Sequence, residues 1–111
     1  MMTEKMRKRV HVFLMNRACP NKYRGVYYLR DGLCWAFDNL DNIGCLSKSV
    51  YLAVADKYAT GINNVERSLR TLADKWWVLN QCGGLFDKKP TNAELFHTLV
   101  VKISVDFDIA S

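Results

Sequence analysis

The stretch LSKSVYLAVADKYATGINNVERSLRTLADKWWVLNQ, residues 46–81, has the pattern of two helices joined by a tight turn. Small residues stand where a second helix must cross closely over the first, at Ala55 in the first helix and at Ala59 in the turn. Apolar residues then recur at alternating steps of three and four, which places one apolar stripe along a long second helix. The stripe consists of Ile62, Val65, Leu69, Leu72, Trp76 and Leu79. This spacing predicts a helix-turn-helix unit over residues 46–81.

The predicted second helix, about 62–81, has a polar face opposite the apolar stripe. This face carries Asn63, Glu66, Arg67, Arg70 and Asp74. Arginine matches the acceptor edge of guanine, asparagine matches adenine, and glutamate accepts a hydrogen bond from cytosine. One interpretation is therefore that the face recognises bases in the major groove of double-stranded DNA. The other interpretation is a solvated helix face, since charged stripes commonly have no further role.

Two residues near the start of the first helix of the unit, Lys48 and Tyr51, are candidates for DNA phosphate contacts. The first helix of a helix-turn-helix crosses the DNA backbone, so an ammonium group and a hydroxyl group there would lie near phosphates. Tyr51 also has the spacing of a core residue, and both interpretations stay open. In the turn, we expect Gly61 to adopt a positive φ. The second helix is capped either by Thr60 or by an alternative capping box of Asn63 and Glu66, so its start is open by about three residues.

Length and composition indicate one small domain. The sequence is 50% hydrophobic, which is enough to form a single core. Its 111 residues are too few for a second domain of ordinary size. The net charge of +5 and a sequence pI near 9.1 favour a polyanionic partner.

The cysteines and the absence of known motifs limit the chemistry. Cys19, Cys34, Cys45 and Cys82 form no C-x-x-C pair, so we expect no metal site, no cofactor and a reducing, cytoplasmic setting. Neither a signal peptide nor a membrane-spanning apolar run is present in the sequence. No catalytic motif is found, and the sequence predicts no enzyme.

The remaining segments predict three more helices, and therefore an all-α bundle of about five helices. They are expected over about 1–16, about 26–40 and about 91–107. Gly32 lies inside the second of them and lowers its helix propensity by about 1 kcal/mol relative to alanine. The last helix starts at PTNAE, where Thr91 and Glu94 have the spacing of a capping box.

The first helix carries an exposed basic triplet, Arg7, Lys8 and Arg9. Solvation is one use of these side chains, and contact with a DNA backbone or a membrane is the other. An apolar face of the last helix, with Phe96 and Val100, is wider than one packing surface requires. It predicts either self-association on tandem DNA sites or burial of both residues against the first helix.

Four motifs in order along the chain resemble the C-terminal effector domain of stage 0 sporulation protein A, the response regulator that governs entry into sporulation in Firmicutes. They are RGVYYLRDGL at 24–33, SKSVYLAVADKY at 47–58, NVERSLR at 64–70 and KPTNAELF at 89–96. The resemblance implies a DNA-binding transcription regulator in which Glu66, Arg67 and Arg70 occupy the base-recognising VER-x-x-R positions. The predicted base-recognising residues are therefore Asn63, Asn64, Glu66, Arg67 and Arg70. Asn64 departs from the family pattern, which commonly has arginine there, and this implies either the loss of a contact to a base or phosphate or an altered or relaxed base preference.

The resemblance also bears on the organisation of the protein. No phosphate-accepting receiver domain is found in these residues, so we expect either an excised effector domain or a stand-alone relative. The connection over 81–89 is shorter than in the family. The alternative function is a protein interaction module that kept the fold and pairs with a full-length regulator.

Overall fold

The computed structural model describes residues 4–39 and 46–107, and it shows five α-helices in these ranges. The helices are α1, Glu4–Asn16; α2, Gly25–Asp38; α3, Leu46–Lys57; α4, Ile62–Gly84; and α5, Asn92–Asp106. The predicted all-α architecture of about five helices is therefore confirmed. Leu40 and Cys45 lie outside the described residues.

Helix α2 is the centre of the bundle, because it packs against each of the other four helices. Two glycines allow neighbouring helices to approach it closely. A Cβ atom at Gly32 would lie 2.7 Å from Val50 Cγ1 of α3 and 2.9 Å from Phe96 Cε1 of α5. A Cβ atom at Gly25 would lie 2.5 Å from the backbone oxygen of Ser68 in α4. Glycine lowers the helix propensity of α2, but the absence of a side chain at these two positions lets α3, α4 and α5 pack closely against it.

The apolar stripe of α4 packs into this bundle as its spacing predicts. Val65, Leu69, Leu72 and Trp76 are fully buried, whereas Ile62 and Leu79 at the two ends of the stripe are exposed. The central part of the stripe is thus confirmed as core, and its two end residues are not part of it.

The turn between α3 and α4 differs from the prediction. The residue with positive φ is Ala59, at 51°, whereas Gly61 has φ −85° and precedes the first residue of α4 in an extended conformation. The Thr60 amide donates to the Ala55 carbonyl at 2.9 Å, which closes α3 with a left-handed residue in the manner of a Schellman motif. The residue that precedes α4 is Gly61, and no side chain caps the start of the helix. The predicted capping role of Thr60 and the alternative capping box of Asn63 and Glu66 are therefore both wrong.

The regular part of α4 ends at Leu79, because Asn80 to Gly83 leave the helical backbone conformation. Gln81, Cys82 and Gly83 have φ between 56° and 74°. Asn80 stabilises this turn, since its Oδ1 accepts from the Gly83 amide at 2.7 Å and its Nδ2 donates to the Arg17 carbonyl at 3.3 Å. The C-terminal end of α4 is thereby anchored to the segment that follows α1.

Helix α5 begins at the predicted capping box. The Thr91 hydroxyl accepts from the Glu94 amide at 3.1 Å, and the Glu94 carboxylate accepts from the Thr91 amide at 2.9 Å. The prediction that Phe96 and Val100 form a contact with a second copy is wrong, because both side chains are buried. Phe96 packs over Gly32 of α2.

None of the helices in residues 4–39 and 46–107 is both long and apolar enough to cross a bilayer.

Candidate nucleic-acid interface

The outer face of α4 presents its polar side chains on the side opposite the buried stripe. Asn63, Arg67 and Arg70 are exposed, and Glu66 is partly exposed. The Arg70 guanidinium donates to the Glu66 carboxylate four residues earlier. Such a surface pair contributes little to stability, so both groups can exchange their partners at low cost. The face therefore carries two arginines, one carboxylate and one amide within the first turns of a helix whose opposite side is buried in the core.

Asn64 lies at the flank of this face and is half-buried. Its Nδ2 donates to Thr60 Oγ1 at 2.9 Å, across the junction between the turn and α4. Of the five predicted base-recognising residues, Asn64 is thus the one whose amide is bonded inside the helix-turn-helix unit.

The two residues predicted to contact phosphates differ in environment. Lys48 is exposed near the start of α3. Tyr51 is half-buried beside the core and lines a groove together with Asn92, and burial is the main cause that raises its pKa. Tyr51 therefore combines a packing role with a hydroxyl group close to the outer face of α4.

A groove runs between α3, α4 and the start of α5. It is lined by Tyr51, Glu66, Arg70, Asp74, Lys89 and Asn92, among others. Lys89 Nζ lies 3.0 Å from Asp74 Oδ1, and Asn92 Nδ2 donates to the backbone carbonyl of Glu66 at 3.2 Å. Sequence reasoning did not single out Asn92. Its signal was the KPTN motif, in which an asparagine follows the capping threonine.

The sequence interpretation gave the basic residues of α1 two uses, solvation or contact with a DNA backbone or membrane, and Arg7 has a third. Arg7 Nε donates to Asp31 Oδ1 of α2 at 3.2 Å. The same carboxylate accepts from Arg30 Nε at 3.0 Å, from Lys57 Nζ at 2.9 Å and from the Tyr58 hydroxyl. We call these five residues the Asp31 cluster.

The Asp31 carboxyl is charged despite its burial. Burial by itself would raise its pKa, but the hydrogen bonds from Arg30, Tyr58 and Lys57 together outweigh that effect and lower the pKa to about 2. The cluster therefore joins α1, α2 and α3 through one buried anion. It was missed because its members are far apart in the chain, although an aspartate inside the apolar pattern of α2 signals a need for partners.

The three cysteines that the structure describes show no sign of thiol activation. Cys19, Cys34 and Cys82 are buried and unbridged, and burial is the main cause that raises their pKa values to about 12, 11 and 11. Among the described residues, no group of three or more His, Cys, Asp and Glu side chains could hold a metal ion.

The family model described as "Sporulation initiation factor Spo0A C terminal" matches residues 10–103. The matched range begins within α1 and ends within α5, so it covers the helix-turn-helix unit and the helices that hold it.

Proposed function

The chain belongs to the Spo0A C-terminal family, a family of DNA-binding effector domains and not of enzymes, and on that basis we propose that α4 recognises double-stranded DNA sequence-specifically in the major groove. The observation that carries this proposal is the two-sided character of α4. One side is fixed by fully buried Val65, Leu69 and Leu72, and the other exposes Arg67 and Arg70 in the VER-x-x-R arrangement. The protein is a DNA-binding regulator, and α4 is its proposed recognition helix.

Individual residues have distinct proposed roles. Arg67 and Arg70 are suited to guanine, Asn63 to adenine, and Glu66 to cytosine once Arg70 turns from it to a base. The Asn64 Nδ2 already donates to Thr60, which leaves Oδ1 and one Nδ2 hydrogen for any contact with a base. We therefore assign Asn64 the smallest contribution to recognition among the five residues.

Phosphate contacts are assigned to α3. Lys48 supplies an exposed ammonium group near the start of the helix, and the Tyr51 hydroxyl lies close to the outer face of α4. Contacts of this kind orient the recognition helix and carry no sequence information themselves.

DNA binding should depend strongly on salt concentration. If about four phosphates are neutralised, the logarithm of the affinity falls against the logarithm of salt with a slope of roughly −3.6. Fluorescence anisotropy with a labelled duplex across a salt series measures this slope. Absence of binding to any duplex at low salt would refute the proposal, and it would favour the alternative of a protein interaction module. Because Arg67 and Arg70 are exposed, we favour DNA binding over the protein interaction module.

Self-association on tandem DNA sites remains part of the proposal, with a different surface. Val101 and Val105 are 52% and 72% exposed on α5 and lie four residues apart, on one face with exposed His97. A small contact of this type is weak in free solution, and binding to adjacent sites raises the local concentration of the two copies.

The Val105→Asp variant tests this surface. It should reduce cooperative binding to two adjacent sites while the affinity for one site is retained, because Val105 is not part of the core. The matched control is Val12→Asp, which changes an exposed valine of α1. Equal cooperativity in wild type and Val105→Asp, measured by gel-shift titration, would exclude this face.

A further inference from the structure

Asn92 is the first residue of α5, yet its side chain bonds to α4 and not to its own helix. Its Nδ2 donates to the Glu66 backbone carbonyl at 3.2 Å, and its side chain also lines the same groove as Tyr51 of α3. The Asn92 side chain thus bonds to α4 and lies beside α3. A residue with only a local role at the start of α5 would not bond to α4.

The carbonyl that Asn92 contacts has a particular position in α4. It belongs to the peptide group that joins Glu66 to Arg67, two of the residues proposed to recognise bases. Because a carbonyl oxygen has two lone pairs, it can accept from Asn92 in addition to a helical amide. The contact therefore restrains the helix backbone at the turn from which the base-recognising side chains project.

A second contact lies further along the same helix. Lys89 Nζ bonds to Asp74 Oδ1 at 3.0 Å, and Pro90 between the two contacts is buried. Glu66 and Asp74 are eight residues apart, slightly more than two helical turns. Residues 89–92 therefore run beside α4 and contact it at two points, of which the Asn92 hydrogen bond is the less exposed.

We infer that Asn92 is a positioning residue for DNA recognition, which fixes the rotation of α4 relative to α3 through its hydrogen bond to Glu66 and its place beside Tyr51. The inference rests on the proposed function of α4. A small rotation of α4 moves side chains against base edges, where hydrogen bonds are sensitive to direction, more than it affects contacts with phosphates. Loss of the Asn92 amide consequently lowers discrimination between DNA sequences more than it lowers binding to DNA in general.

The Asn92→Ala variant tests this directly. The quantity measured is the ratio of affinities for the best duplex selected by the wild type and for a scrambled duplex, at one salt concentration. We expect the ratio to fall about fivefold, which corresponds to the net worth of one hydrogen bond, with little change in the salt slope.

Asn80→Ala is the matched control, since it also removes an asparagine side chain that anchors α4, but at the C-terminal end of that helix. Asn80 anchors that end to the Arg17 carbonyl and lies far along the helix from Glu66. Its loss should lower the unfolding midpoint and leave the affinity ratio unchanged. Asn92→Asp is a second variant, because it keeps the shape and an acidic group is favourable at a helix N-terminus, while the amide donor is lost.

A measurement without DNA tests the contact itself. In ¹⁵N–¹H NMR spectra, the Arg67 amide nitrogen should shift in Asn92→Ala because its peptide carbonyl loses a hydrogen bond, and it should not shift in Asn80→Ala. An unchanged Arg67 signal, or an unchanged affinity ratio in a folded Asn92→Ala protein, overturns the inference and leaves the proposed function intact. Equal loss of discrimination in both alanine variants also overturns it. A wild-type protein that does not discriminate between duplexes overturns the proposed function, and the inference with it.

Discussion

Asp31 and Glu66 are both carboxylates bonded to an arginine, and their surroundings give them opposite roles. The Asp31 side chain is 5% exposed and is held by cations from three helices. The Glu66 side chain is 38% exposed and contacts Arg70 of its own helix. A buried carboxylate needs all of its partners, whereas an exposed one can release its partner to water or to a ligand.

The comparison separates the charges that hold the fold from those available to DNA. Arg7, Arg30 and Lys57 are committed to Asp31, so their charges are partly neutralised within the bundle. Arg67 on α4 is exposed. The net charge of +5 is thus a poor guide to a DNA-binding surface until the internal pairs are known.

The largest effect is expected from Asp31→Ala. The substitution leaves three cations close together without their anion, and breaking a buried pair of this kind costs about 3–5 kcal/mol. Urea denaturation gives the change in the free energy of unfolding. Asp56→Ala, which removes an exposed aspartate of α3, is the control and should change stability by less than about 0.5 kcal/mol. Similar losses in the two variants would contradict the role assigned to the Asp31 cluster.

Lowering the pH should reduce the free energy of unfolding by somewhat less than Asp31→Ala does. The pKa of Asp31 falls from its ordinary value of 3.8 to about 2 in the folded protein. A lowered folded-state pKa stabilises the protein above the unfolded-state pKa, and this stabilisation is lost as the pH falls towards the folded-state value.

The cluster therefore contributes about 2–3 kcal/mol near neutral pH, and this should disappear between about pH 4 and pH 2. Urea denaturation over a pH series measures it, with Asp31→Asn as the comparison. The stability difference between wild type and Asp31→Asn should shrink as the pH falls through this range. A difference that is constant down to pH 2 would show that the Asp31 carboxyl titrates normally.

Substitutions of the exposed residues of α3 and α4 should have smaller effects, and these should be on DNA binding and not on stability. Arg67→Ala should weaken binding to the best duplex by about 1–3 kcal/mol and reduce discrimination at one base pair. Lys48→Ala should weaken all duplexes similarly and lower the magnitude of the salt slope by about one. Anisotropy titrations on specific and random duplexes distinguish the two. Equal losses on both duplexes from both variants would remove the proposed division between base and phosphate contacts.

Local pattern predicted the helices well and the turns less well. The stripe of α4 and the capping box of α5 depend on residues within a few positions of each other, and the spacing predicted both. The α3–α4 turn was assigned to Gly61 because glycine tolerates positive φ, but Ala59 adopts it. There the closure of α3 and the packing of two helices outweigh the intrinsic preference of one residue.

Helical periodicity and the VER-x-x-R and KPTN motifs are local properties, so the amino-acid sequence was enough to predict the all-α class, the helix-turn-helix and the candidate face of α4. Which polar groups are already bonded depends on the packing of the helices. Asp31 meets Arg7 across 24 residues and Lys57 across 26, and Asn92 meets Glu66 across 26. Those meetings depend on how closely helices cross, which Gly25 and Gly32 permit, and amphipathic spacing carries no information about them.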